Sequence, residues 1–254
     1  MLGLVGGIAL LALVILPVVA LVVRAPWSSA LDLLGERSNR TALRLSIVVS
    51  LWSVVLSVLL GFPIAWLLAR VEFPGRRLLR ALVTLPMVLP PVVGGVALLV
   101  AFGRRGLIGQ WLDRWFDVQL AFTTAAAVLA ATFVSLPFFV VTVEAALRSS
   151  DRRYEEAART LGARPSRVLR RVTLPSIRDA LGAGAALAWA RALGEFGATI
   201  TFAGSFEGRT QTMPLAVNAA LDADAGAAIV LSLVLLGVAV AVLALLRERW
   251  MGAA

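Results

Sequence analysis

Long apolar runs alternate with short arginine-bearing connections along this chain. Six runs stand out, at residues 2–23, 41–68, 78–102, 122–147, 180–203 and 225–246. Each reaches or exceeds the ~20 apolar residues that a helix needs to cross a bilayer core. The pattern predicts an all-α polytopic membrane protein with about six transmembrane helices. The first run lacks a basic n-region beyond the terminal amine, so it reads as a retained helix and not as a cleaved signal peptide. The expected organisation is an N-terminal helix and outer loop over residues 1–40, one membrane domain over 41–246 and a short tail at 247–254. A hydrophilic loop at 149–175 interrupts the membrane domain.

Composition sharpens this picture mainly by exclusion. Of 254 residues, 60% are hydrophobic and 15% are charged, and the mean hydropathy is +0.90. The 24 basic residues are all arginine, and lysine, histidine and cysteine are absent. That removes histidine-based triads and relays, thiolate nucleophiles and Zn–S sites, and Schiff-base lysines. The lysine-containing phosphate loop is impossible too, so any ATP energy must be released by another chain. No catalytic site is expected. The arginines lie between apolar runs, which points to membrane topology and away from nucleic acid. Arg70, Arg76, Arg77 and Arg80, the series from Arg148 to Arg178, and Arg247 and Arg249 fall on one side. The other side carries Arg24, Arg37, Arg40, Arg104, Arg105, Arg114 and Arg209. Cytoplasmic loops concentrate arginine, so both termini are expected in the cytoplasm. Tryptophans near span ends, including Trp27, Trp111, Trp115 and Trp250, fit anchoring at the lipid interface.

The loop at 149–175 reads SSDRRYEEAARTLGARPSRVLRRVTLP. Ser149, Ser150 and Asp151 offer N-caps, and Glu155 and Glu156 fall early in the helix, where the macrodipole favours acids. Ala157, Ala158 and Leu161 form a small apolar face. Gly162 suits a C-terminal stop, and Pro165 suits the first turn of a second short helix. Val168, Leu169 and Val172 form another apolar stripe. Composition alone fits an arginine-rich hairpin lying on anionic lipid. The spacing carries more information: Glu156-Ala157-Ala158, three residues, Gly162, nine residues, then Val172-x-Leu174-Pro175. It resembles the EAA signature of ABC-importer permeases, with valine in place of isoleucine at position 172. The resemblance implies an ABC type-1 transmembrane domain whose loop, through Glu156, Ala157, Ala158, Gly162, Leu174 and Pro175, docks on a separate ATPase.

Further segments, FPGRRLLRALVTLPMVLPPVVGG, FGRRGLIG, EEAARTLGA, ARALGEFGATITFAG and TQTMPLAV, resemble the molybdate permease family from about residue 41 to 246. Permeases for tungstate and for sulfate or thiosulfate share much of this vocabulary. The resemblance implies a homodimer in the prokaryotic cytoplasmic membrane, two ATP-binding cassette subunits beneath it and an external molybdate-binding protein. ATP and Mg would sit on the ATPase, with no cofactor on this chain. An ion-coupled secondary transporter is the rival from another class. It would typically show intramembrane carboxylate relays, and only Glu195 lies deep within a run.

Candidate path residues are Arg191, Glu195, Thr199, Thr201, Pro90 and Pro91. Arg191 and Glu195 stand four residues apart, and intramembrane charges usually face a partner or a cavity. They fit an anion route with Glu195 as counter-ion, or equally a self-neutralising pair that locks packing. Thr199 and Thr201 either line the path or bond back to helix carbonyls. Pro86, Pro90 and Pro91 break the third run. They make either plain kinks or a pathway wall, since broken helices survive at membrane depth only against protein or water. Gly194 and Gly197 are expected to permit close helix approach. Arg44 and Glu144, near span ends, are expected to reach toward the interface. Arg104 and Arg105 either meet an arriving oxyanion or binding protein, or are simply solvated.

Overall fold

The structure, a computed structural model, describes the backbone of residues 2–251 and the side chains of residues 10–242 and 244. The side chains of Arg247, Arg249 and Trp250, on which part of the tail and interface expectations rest, lie outside the described residues. Every regular element described is helical: α1 (Leu2–Arg24), α2 (Ala30–Gly35), α3 (Arg37–Arg70), α4 (Arg76–Val88), α5 (Pro91–Phe102), α6 (Gly109–Phe116), α7 (Thr124–Ser149), α8 (Arg153–Thr160) and α9 (Pro165–Val168). A π-helical turn over Leu169–Thr173 follows, then α10 (Leu174–Ser176), α11 (Arg178–Leu193), α12 (Gly197–Phe202), α13 (Met213–Ala223) and α14 (Ala225–Met251).

Three helices among the described residues are individually long and apolar enough to cross a membrane: α3, α7 and the part of α14 up to Val242. The third apolar run is instead two helices, α4 and α5, bent by 118° at their junction. Leu89 and Pro90 are extended at the break. Pro91 opens α5 at the position where its missing N–H costs nothing. The fifth run also divides. Helix α11 ends at Leu193 and α12 begins at Gly197, with no proline nearby. The third run is thus broken where its prolines predict and the fifth where no proline marks it. Among the described residues three helices, or four if the bent pair is one span, are long and apolar enough to cross.

The chain divides into two compact units, with the boundary inside α3 at Leu45 and Ser46. In the first, Ala42, Met213, Ala216 and Leu231 form a small apolar core. The second, built on Ser46–Gly204, holds both candidate sites. Its centre is α7, whose face of Ala126, Ala127, Ala130, Ala131 and Val134 packs with Leu98, Ala198 and Phe202. Further along, Phe139, Val140, Val143 and Leu147 pack with Ala65, Leu68, Ile177 and Ala188.

Small and hydroxyl residues set how closely α3 meets α7. Ser46, Ser50, Ser53 and Ser57 are all buried, at the three- and four-residue spacing of one helix face. The hydroxyls of Ser53 and Ser57 lie 2.9 and 3.2 Å from that of Ser135. Gly61 continues the stripe, where a Cβ would come within 2.8 Å of the Phe139 ring. Apolar burial gives helices no net drive to associate in lipid, so such close contacts and interhelical hydroxyl pairs hold them together.

Candidate functional site

Two constellations emerge, one where the broken helices meet and one in the hydrophilic loop. At the first, α5 and α12 start side by side. A Cβ on Gly197 would stand 2.6 Å from the Cβ of Pro91. One turn on, a Cβ on Gly95 would stand 2.7 Å from the Thr201 Cβ and 2.8 Å from the Ala198 carbonyl. Only glycine permits this approach. Glu195 lies in the gap between α11 and α12, with its side chain 1% exposed. Its Oε1 accepts the Ala198 N–H at 2.8 Å, capping the short α12. Its Oε2 pairs with Arg191 at 2.6 Å. Both contacts are local, at three and four residues' separation. Thr201 donates its hydroxyl to the Gly197 carbonyl at 2.9 Å, and Thr199 is buried. The six candidate path residues thus gather around one junction. Gly194 differs from Gly197: it is exposed, and a Cβ there would meet nothing closer than 3.7 Å. The close approach expected of both glycines belongs to Gly197 alone.

The loop folds as the spacing predicts, as a helix, a glycine turn and a second helix. Asp151 accepts the Arg153 N–H at 2.9 Å and starts α8. Gly162 has φ +81°, a left-handed conformation. The turn closes with Gly162 N–H bonded to Arg159 and Ala163 N–H bonded to Ala158. Pro165 opens α9. Glu156, Ala157, Gly162 and Pro175 are exposed, while Ala158 and Leu174 are half-buried. Leu161 is 88% exposed, so the apolar side of α8 is uncovered.

Glu155 faces the other way. Its Oε1 accepts from Arg70 Nη2 at 2.8 Å and from the Thr173 hydroxyl at 3.0 Å. The Arg70 and Glu155 side chains are only 7% and 8% exposed. Arg70 Nη2 also donates to the Ser150 hydroxyl at 2.7 Å. Arg152 Nη2 reaches the Ala69 carbonyl at 3.2 Å. A cavity of about 110 Å³ opens beside this cluster, lined by Trp66, Arg70, Arg152, Glu155, Glu156 and Arg159. Glu144 corrects another expectation. It is buried and held by Arg80 at 2.6 Å and Arg148 at 3.2 Å, instead of reaching out toward the interface.

Residues 57–253 match the family of binding-protein-dependent transport system inner membrane components. The chain belongs to that family. As an inner membrane component, it is an integral membrane protein, in keeping with its apolar helices. It is 50% identical over 233 residues to the molybdenum transport system permease protein ModB of Mycobacterium tuberculosis, covering 92% of this chain and 88% of that one. It is 44% identical to the Escherichia coli K12 ModB over 83% of this chain and 92% of that protein. The sulfate transport system permease protein CysW of Synechocystis is 42% identical over 79% and 74% of the respective chains. Among solved structures, an inward-facing methionine ABC transporter aligns with TM-score 0.58 at 20% identity, covering 85% of this chain and 93% of that one. That likeness gives this inner membrane component the fold of an ABC transporter permease.

For this transport component, the sequence singled out Glu156 and passed over Glu155 as anything more than a helix-start acid. It also missed Arg70, Thr173 and the serine face of α3. The serine spacing was a readable signal. The Arg70–Glu155 pair left none, since the partners are 85 residues apart.

Outside both sites, Arg104 donates through Nε to Asp113 Oδ2 at 3.1 Å, and Gln119 also donates to that carboxylate. The Arg104 hydrogen bond, with help from Gln119, holds the Asp113 carboxyl below its ordinary value. The Trp111 and Trp115 rings meet nearby at a tilt of 44°, with centroids 5.2 Å apart.

Proposed function

We propose that this chain is the membrane-spanning permease subunit of an ATP-driven molybdate importer. The observation that carries the proposal is the uncovered face of α8, where Glu156, Ala157 and Leu161 stand outward beside the Gly162 turn. A separate ATPase docks there and supplies ATP and Mg, since this chain has no lysine for a phosphate loop. The chain itself performs no hydrolysis. Two copies form a homodimer in the lipid bilayer, with both termini in the cytoplasm. An external binding protein delivers the anion. Closure of the ATPase subunits displaces the loops and opens the outer side. The junction of Pro90 and Pro91 with Arg191, Glu195, Thr199 and Thr201 lies along the path. Molybdate as cargo is supported by the 50% identity to a molybdenum permease protein.

Sulfate is the second reading, favoured by the 42% identity to a sulfate permease protein. Tungstate, a dianion of nearly the same size as molybdate, shares the molybdate chemistry. Uptake into proteoliposomes containing the ATPase and binding protein separates these. Molybdate uptake that needs ATP and is blocked by tungstate but not by sulfate is the expected result. Sulfate uptake in its place overturns the cargo. Uptake driven by an ion gradient without ATP overturns the importer.

A further inference from the structure

We propose that Glu155 is a positioning residue that locks the docking loop to the membrane helices, so that displacement of α8 moves α3, α7 and the start of α11 as one body. This rests on the permease function proposed above. Four elements converge on the Glu155 cluster. The carboxylate belongs to α8, Arg70 ends α3, Ser150 caps the end of α7, and Thr173 closes the π-helical turn that leads into α10 and α11. Arg152 adds a second tie from the start of α8 to the end of α3, through the Ala69 carbonyl.

An eight-residue helix is marginal by itself. Without ties, a push on α8 would be absorbed by local tilting and fraying. The Glu155 cluster resists that, because its charges are almost wholly buried. Opening the cluster leaves a guanidinium and a carboxylate uncompensated in a low-dielectric setting. Among the described residues, the Nε and Nη1 of Arg70 are buried with no acceptor, and Glu155 is its one ionic partner. Glu155 and Glu156 thus divide the work: Glu156 faces the partner subunit and Glu155 faces the membrane domain.

The test uses the assembled complex with its ATPase and binding protein in lipid vesicles. Glu155→Gln keeps an acceptor for Arg70 and Thr173 but removes the charge. The expected result is that ATP hydrolysis continues while ATP consumed per oxyanion moved rises about tenfold. Thr173→Val removes one donor and leaves the ion pair intact, so the ratio should rise about threefold. The second readout does not depend on the cargo. The chain has no cysteine, so Thr160→Cys on α8 and Val71→Cys just past α3 can carry one pair of spin labels per copy. The pair is read in a complex where a single copy is labelled and the partner subunits are free of reactive cysteine. Their separation should stay fixed between nucleotide-free and ATP-bound complexes with Glu155 present, and should change on ATP binding in Glu155→Gln. An unchanged transport ratio, or a label separation that stays fixed in Glu155→Gln, overturns the lock. Failure of the parent complex to move any oxyanion overturns the permease function instead, and the label separation still decides the lock.

Discussion

Glu195 and Glu155 are both buried glutamates paired with arginine, yet they stabilise different things. Glu195 finds its partners at three and four residues' distance, a backbone N–H and Arg191. It finishes one helix and starts the next. Glu155 finds Arg70 at 85 residues' distance and Thr173 at 18. It fixes tertiary structure. A carboxylate satisfied locally costs little to keep buried, because its partners come with it in any fold that keeps the backbone. A carboxylate satisfied from afar exists only once the other elements have arrived, so losing one partner strands the other.

The largest expected effect breaks the distant pair. Arg70→Ala should destabilise by about 3–5 kcal/mol, because the Glu155 charge stays buried with only a hydroxyl donor. Thermal unfolding of the purified protein in detergent checks this, and a melting point equal to the parent's would refute it. Next comes the junction around Glu195. Gly197→Ala should cost about 1–3 kcal/mol, since its Cβ must displace Pro91. Gly194→Ala, three residues earlier, should stay within about 0.5 kcal/mol in the same melt.

Glu195 itself should fall below Gly197. Glu195→Ala loses the cap on α12 and should cost about 1 kcal/mol. Glu195→Gln retains an acceptor for the Ala198 N–H and should cost less, since Arg191 is 28% exposed. If the two variants melt together, the ion pair outweighs the cap. The smallest effect lies at the exposed pair of Arg104 and Asp113. Asp113 has a lowered folded value, so its contribution is present above the ordinary aspartate range and fades as pH falls through the folded value. Carboxyl NMR of labelled protein should place its inflection below that of a free aspartate. Arg104→Gln should move it upward.

Legibility in the sequence follows the same division between local and distant partners. Helical character, the Pro90–Pro91 break, the Gly162 turn and the Arg191–Glu195 pair are all encoded within a few residues, so spacing reveals them. The end of α11 at Leu193 has no proline to mark it. It depends on Glu195 capping the following helix and on the space that Pro91 leaves for Gly197. The burial of Glu144 depends on Arg80, 64 residues away, as well as on nearby Arg148. The short helices α2 and α6 are too brief for apolar periodicity to announce. Which of two adjacent loop glutamates turns inward is decided by where α3 ends.

The meeting of Pro91 with Gly197 also has a consequence for biogenesis. The break between α4 and α5 is made about a hundred residues before its cover exists. A bilayer offers no hydrogen bonds to an interrupted backbone, so a nascent chain that stops short of α12 holds its first break open. Insertion of the early helices and their final settling are therefore separate events in time. The second cannot begin until the ribosome has delivered Gly197.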